Sequence, residues 1–110
     1  MERFVKGDVV VIPFPFSDLS NAKKRPALVL ADLKSNDIIF CQITSQNVQD
    51  EYALPLDNSG FSKGSLHKPS NIRPNRLFTA EKSIITRKIG RVKEDVLITA
   101  IKKLTLILTE

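Results

Sequence analysis

The sequence predicts a mainly β fold: a small, strongly bent barrel of about five to seven short strands with one α-helix at its C-terminal end. Three observations predict it. Short β-branched or aromatic runs recur between Gly, Pro and Asn-Asp punctuation from Val9 to Val92. The tail from Glu94 to Leu108 changes period, setting Leu97, Ala100, Ile101, Leu104 and Leu108 at helical spacing. The chain has 110 residues, 42% of them hydrophobic, which suits one core and a single domain over residues 1–110.

The elements follow in order. Gly7-Asp8 is a turn signal, and Val9-Val10-Val11-Ile12 is the first strand. Pro13 and Pro15 lack backbone donors, so this strand runs to an edge or bends at its end. Ser17–Lys24 reads as a loop, longer than the two to about five residues of an ordinary hairpin. Pro26 fixes its own φ and holds Arg25 extended ahead of the buried strand Ala27–Leu30. Asn36-Asp37 turns the chain into a third strand, Ile38–Thr44, and Tyr52–Leu56 is a short fourth. Residues 57–70, rich in Gly, Ser, Asn and Lys, read as a mobile loop. Asn71–Arg73 and Leu77–Thr79 read as strand pieces around Pro74, and Thr86–Val92 as the last strand, with Gly90 permitting a bulge or tight approach. In the helix, Glu94 and Asp95 sit where the first turn favours negative charge. Val96, Ile98, Leu106 and Ile107 widen its apolar face, so it is either wrapped by the sheet or shared with a partner chain.

Composition bounds the function. Lys and Arg number 17 against 12 Asp and Glu, a formal charge of +5 that suits a polyanionic partner, nucleic acid or an acidic protein segment. One cysteine, Cys41, forms no internal disulfide, and Met1–Lys6 has no apolar signal core, so a cytoplasmic location is expected. No apolar run approaches the roughly 20 residues of a membrane span, so no membrane association is expected. With one His and one Cys, no Cys/His zinc site is available, and no phosphate-loop glycine motif is present. We therefore expect neither metal nor cofactor. A nucleophilic triad would need His67, which reads as a solvated loop side chain.

What remains is cationic and hydroxylic: Arg25, then Thr44-Ser45-Gln46 closing the third strand, then Arg73 and Arg76 flanking Pro74. Each has an ordinary reading as a solvated flank, a strand-end hydroxyl or half of a surface ion pair. Together they suit guanidinium and hydroxyl donors around a phosphate whose charge grows in a transition state.

The order of motifs resembles the PemK/MazF toxins of bacterial toxin–antitoxin pairs. Gly7-Asp8 precedes the apolar strand, and Lys24-Arg25-Pro26-Ala27-Leu28-Val29-Leu30 is similar to the family's RP-x-LV segment. Ile43-Thr44-Ser45 matches its strand end, followed by Ser70-Asn71-Ile72-Arg73, Leu77-Phe78-Thr79, Lys88-Ile89-Gly90-Arg91 and the helix. The resemblance implies an SH3-like barrel with a C-terminal helix, paired as a homodimer. It implies a metal-independent endoribonuclease acting on single-stranded RNA, inhibited by a cognate antitoxin, with DNA bound only through the antitoxin complex.

Its catalytic residues fall on Arg25, Thr44 and Arg73. The first loop, with Asp18, Lys23 and Lys24, would be a lip over the RNA groove, and Ser45, Gln46, Ser70, Asn75 and Arg76 would contact substrate. One departure stands out. In the PemK branch an acidic residue two positions after the arginine matched by Arg73 also acts, and that position falls on Asn75, which cannot titrate, so no general base is assigned there. Two other readings stay open: a PemK-like module that binds nucleic acid or antitoxin without cleaving, and a CcdB-like toxin that binds gyrase through its helix.

Overall fold

The computed structural model describes residues 3–14, 23–48 and 50–110. Seven antiparallel strands form one sheet that curls into a half-barrel: β1 (Asp8–Phe14), β2 (Lys23–Asp32), β3 (Asp37–Thr44), β4 (Leu54–Leu56), β5 (Phe61–Gly64), β6 (Ser70–Glu81) and β7 (Arg87–Val92). Their spatial order is β4-β6-β3-β2-β1-β7-β5, and helix α1 (Glu94–Thr109) closes the chain.

Strand alternation sends side chains to two apolar layers. Val9, Leu28, Cys41, Ile43, Ile72 and Val92 form one core, against which Val96, Leu97 and Leu104 of α1 pack, with Ala100 buried among them. Val10, Ile12, Ala27, Val29, Ile38 and Phe40 point the other way into a second cluster with Phe4. Both faces of the central strands are therefore covered, which is why β1 and β2 read as continuous apolar runs rather than as an alternation. Ile43 and Ile72 are cross-strand partners, both fully buried, and truncating either to Ala costs about 2–5 kcal/mol.

The Gly7-Asp8 signal has a structural cause. Gly7 adopts φ +95°, a left-handed conformation that glycine takes without strain. Asp8 is fully buried, with Arg91 Nε at 2.9 Å, Lys88 Nζ at 3.2 Å and the Val5 amide donating to it at 2.9 Å. The Lys88–Arg91 segment thus ties β7 to the start of β1. Removing both cations would leave the buried Asp8 carboxylate uncompensated, whereas losing either one leaves the other in place.

Three sequence expectations are corrected. Residues 57–70 are largely ordered: a 3-10 turn at Asn58–Gly60 leads into β5, whose Phe61 is buried opposite Val92. Gly64 serves close backbone approach, since a Cβ there would fall on the Ile89 carbonyl oxygen, and a Cβ on Gly90 opposite would meet the Lys63 carbonyl oxygen at 2.5 Å. The two strand pieces around Pro74 are one 12-residue strand, β6, whose register against β3 jumps from Gln42–Arg73 to Cys41–Leu77. The residues between are a bulge with Pro74 buried at its base, which is how a proline sits in a central strand. Lys23 and Lys24 lie in β2, opposite Phe14 and Pro13, and not in a loop. The β1–β7 pairing ends at Val11, so Pro13 has a pairing strand on one side, as its missing donor requires. Gly90 does adjoin a bulge, between its pairing with Val9 and that of Lys88 with Val10.

Candidate active site

The register of three adjacent strands builds the site. Ala27 of β2 faces Gln42 of β3, and Gln42 faces Arg73 of β6. One residue along, Leu28, Cys41, Ile43 and Ile72 belong to the helix-side core, so Ala27, Gln42 and Arg73 share the opposite face. Two residues further on, alternation returns Arg25 and Thr44 to that same face. Arg25 is the cross-strand partner of Ile12, which lies in the second cluster, and Thr44 is the partner of Asn71. Arg25, Thr44 and Arg73, remote in sequence, thus stand on one face of neighbouring strands.

Each side chain has a distinct environment. Arg25 is half-buried and has no carboxylate partner among the described residues. Thr44 is 5% exposed, and its Oγ1 accepts the Gln46 amide at 3.2 Å, which fixes the turn leaving β3. The hydroxyl proton remains to be donated elsewhere. Arg73 donates from Nη2 to Asp50 Oδ2 at 2.6 Å. Its Nε and the Oε1 of Gln42 across the strand are both buried without a partner.

Asp50 was not singled out by the sequence. It sits in the loop between β3 and β4, and its Oδ1 accepts the amides of Tyr52 at 3.1 Å and Ala53 at 3.0 Å. Desolvation pushes its carboxyl up, but the Arg73 hydrogen bond and the two backbone amides outweigh that and hold it below the ordinary aspartate value. An Asp a few residues ahead of a short strand is a turn-former, the one signal that was available. Gln42 was equally missed, since a lone Gln in a strand carries no pattern.

The remaining candidates divide. Lys24, Ser45 and Ser70 border a groove of about 420 Å³ on the helix-side face, together with Lys68, Arg87 and atoms of Arg25. Ser70 is buried and donates to the Lys68 carbonyl at 3.0 Å, so its hydroxyl is engaged in holding the entry to β6. Gln46 is exposed, and its carbonyl accepts from Asn71 Nδ2 at 3.4 Å. Asn75 and Arg76 are exposed on the β6 bulge, off the ladder that carries Arg73. Lys23 is exposed at the start of β2. Asp18 and most of the first loop lie outside the described residues.

Other chemistries find no support. Burial pushes the Cys41 thiol up to about 12, which removes it as a nucleophile. Among the described residues no three His, Cys, Asp or Glu side chains gather as a metal-binding group. No helix among them is long and apolar enough to cross a membrane.

The fold has close counterparts among solved structures. MazF (form I) from Deinococcus radiodurans aligns with a TM-score of 0.79 at 19% identity over 100% of both chains. A MazE–MazF complex (form II) from the same organism aligns at 0.75 and 17%, covering 98% of this chain and 97% of that one. An endoribonuclease in complex with its cognate antitoxin from a mycobacterial species aligns at 0.72 and 11%, covering 97% and 96%. No curated protein sequence matches the chain. A family model does match, over residues 5–108, and the chain belongs to the PemK-like, MazF-like toxins of type II toxin–antitoxin systems.

Proposed function

We propose that this toxin is an endoribonuclease that cuts single-stranded RNA without a metal ion, with Arg25, Thr44 and Arg73 as its catalytic residues. The reading rests on one observation: two guanidinium groups and a buried hydroxyl share one sheet face across β2, β3 and β6. A ribose 2′-oxygen attacks the adjacent phosphorus, the P–O5′ bond breaks, and the products are a 2′,3′-cyclic phosphate and a 5′-hydroxyl. Arg25 and Arg73 supply forked donors to the non-bridging oxygens, where negative charge grows. Thr44 donates its hydroxyl proton as a hydrogen bond to the phosphate or the attacking oxygen. An arginine, with a pKa above about 12, is a poor proton carrier at neutral pH, so the role of both guanidinium groups is electrostatic.

Lys23, Lys24, Ser45, Gln46, Asn75 and Arg76 surround this face and the adjoining groove as contacts for the flanking nucleotides, with Ser70 holding the groove wall. The chain works as a homodimer, and its inhibitor is a small antitoxin whose acidic segment covers the basic surface. Support for an antitoxin comes from the family and from the complexes that its structural counterparts form. Coexpression with the neighbouring open reading frame should restore growth; if no adjacent product rescues or copurifies, the paired antitoxin is excluded. The activity is tested by incubating purified protein with a fluorescent single-stranded RNA. Discrete cleavage is expected, and intact RNA at stoichiometric enzyme would overturn the reading.

A further inference from the structure

We infer that Asp50 is a positioning residue of this site, holding the Arg73 guanidinium for the phosphate; the inference rests on the RNA-cleaving reading given above. The family's acidic position near this arginine is occupied by Asn75, which is exposed on a bulge and carries no charge. The carboxylate that does reach Arg73 comes from the β3–β4 loop. Asp50 engages one guanidinium nitrogen, Nη2, at 2.6 Å through Oδ2. Its other oxygen accepts the Tyr52 and Ala53 amides, so the carboxylate is fixed by its own loop before it meets the arginine.

That loop is itself docked on α1 and on Glu110, the residue after it. Tyr52 donates from its phenol to Glu110 Oε1 at 2.9 Å, and Lys103 Nζ of α1 donates to the Glu51 carbonyl at 2.9 Å. The hold on Arg73 therefore runs from the helix through the loop to the guanidinium. A monodentate clamp on Nη2 leaves the Nη1 end of the fork for a ligand, while Nε is buried with no partner. A pre-placed donor acts on the transition state without reorganising, so losing the clamp should show in kcat more than in KM.

The test combines steady-state kinetics with NMR of the arginine side chains in the full-length protein. Asp50→Asn should lower kcat by about 10- to 100-fold with KM within about twofold, the scale of a misplaced catalytic group. Asp50→Glu should recover most of the loss, and Tyr52→Phe should cause a smaller loss of the same kind. In the spectra, the wild type should show a dispersed Nε–Hε resonance that disappears in Arg73→Lys and moves to the bulk arginine envelope in Asp50→Asn. An unmoved resonance in Asp50→Asn overturns the clamp, whether or not the protein cleaves RNA. A moved resonance with wild-type or faster cleavage overturns the positioning role and makes Asp50 a competitor of the phosphate. A wild type that cleaves no RNA defeats the ribonuclease reading separately, and the positioning role with it, while the resonance still decides whether Asp50 holds Arg73.

Discussion

Gln42 and Arg73 are direct cross-strand partners on β3 and β6, and each keeps a buried polar atom, Oε1 and Nε, without a hydrogen bond. One is an acceptor and the other a donor, yet they do not satisfy each other. An unpaired buried group is a stability cost that a folded protein retains only where something else uses it. Gln42→Met, similar in volume and apolar, should therefore leave stability unchanged or raise it by about 1 kcal/mol. Urea midpoints measure this. A loss of more than about 2 kcal/mol would mean that the glutamine already has its partner in solution.

The catalytic weight should rest on Arg25. It has no carboxylate partner among the described residues, whereas Arg73 is shared with Asp50. Arg25→Ala should slow single-turnover cleavage by at least about 100-fold, the scale for one lost transition-state donor. Thr44→Ala should cost somewhat less and Asn75→Ala least. Cleavage that survives Arg25→Ala but not Asn75→Ala would reverse the assignment, and a marked gain in Asn75→Asp would identify an attenuated enzyme.

Cleavage should proceed in excess EDTA and leave a 2′,3′-cyclic phosphate and a 5′-hydroxyl, with a 2′-deoxyribose at the cut site rendering the substrate inert. End-group analysis by mass spectrometry decides the point. A 5′-phosphate product, or complete loss of activity on chelation, would rule out internal attack by the 2′-oxygen.

The Arg73–Asp50 pair should fail only in acid. Desolvation alone would raise the Asp50 carboxyl, but the Arg73 bond and two amides bring its folded value below the unfolded one. A depressed carboxyl contributes stability above the unfolded value and loses it as pH falls through the lower folded value. The pair is therefore intact throughout the neutral range. A carbon-detected titration should give an Asp50 midpoint below that of a free aspartate, moving upward in Arg73→Met, where desolvation is no longer offset by the guanidinium. A midpoint that is the same in both proteins would show that the pair does not form.

Dimerisation should appear in light scattering at micromolar concentration. One side of α1 is used by the core through Leu97, Ala100 and Leu104. Ile98 and Leu106, 45% and 64% exposed, lie outside that stripe, and Leu108, 70% exposed, continues it beyond the core, an apolar surface that a second chain would cover. A monomer mass would count against the dimer, and Leu108→Glu should weaken a real one.

Much of this protein is written locally. The β-branched run of β1, the period change at Glu94, the turn at Gly7-Asp8 and the bulge beside Gly90 all follow from short-range sterics and hydrophobic spacing, and so were legible in the sequence. Arg25 and Thr44 were singled out because each stands beside a local signal, Pro26 or Ser45. Residues 57–70 were misread because small polar residues signal a loop whether they are mobile or, as at Gly64 and Gly90, allow two backbones to approach closely. Tertiary structure alone decided which cations share a face. The register of β2, β3 and β6 sends Arg25, Thr44 and Arg73 to one side and Lys24, Ser45 and Ser70 to the other, with Arg25 at the rim where it also borders the groove of the second set, and a shift of one residue would exchange them. It also decided that Asp50, 23 residues from Arg73, is the carboxylate that meets it, because a contact made by folding a loop back onto a helix and a strand has no periodicity to reveal it.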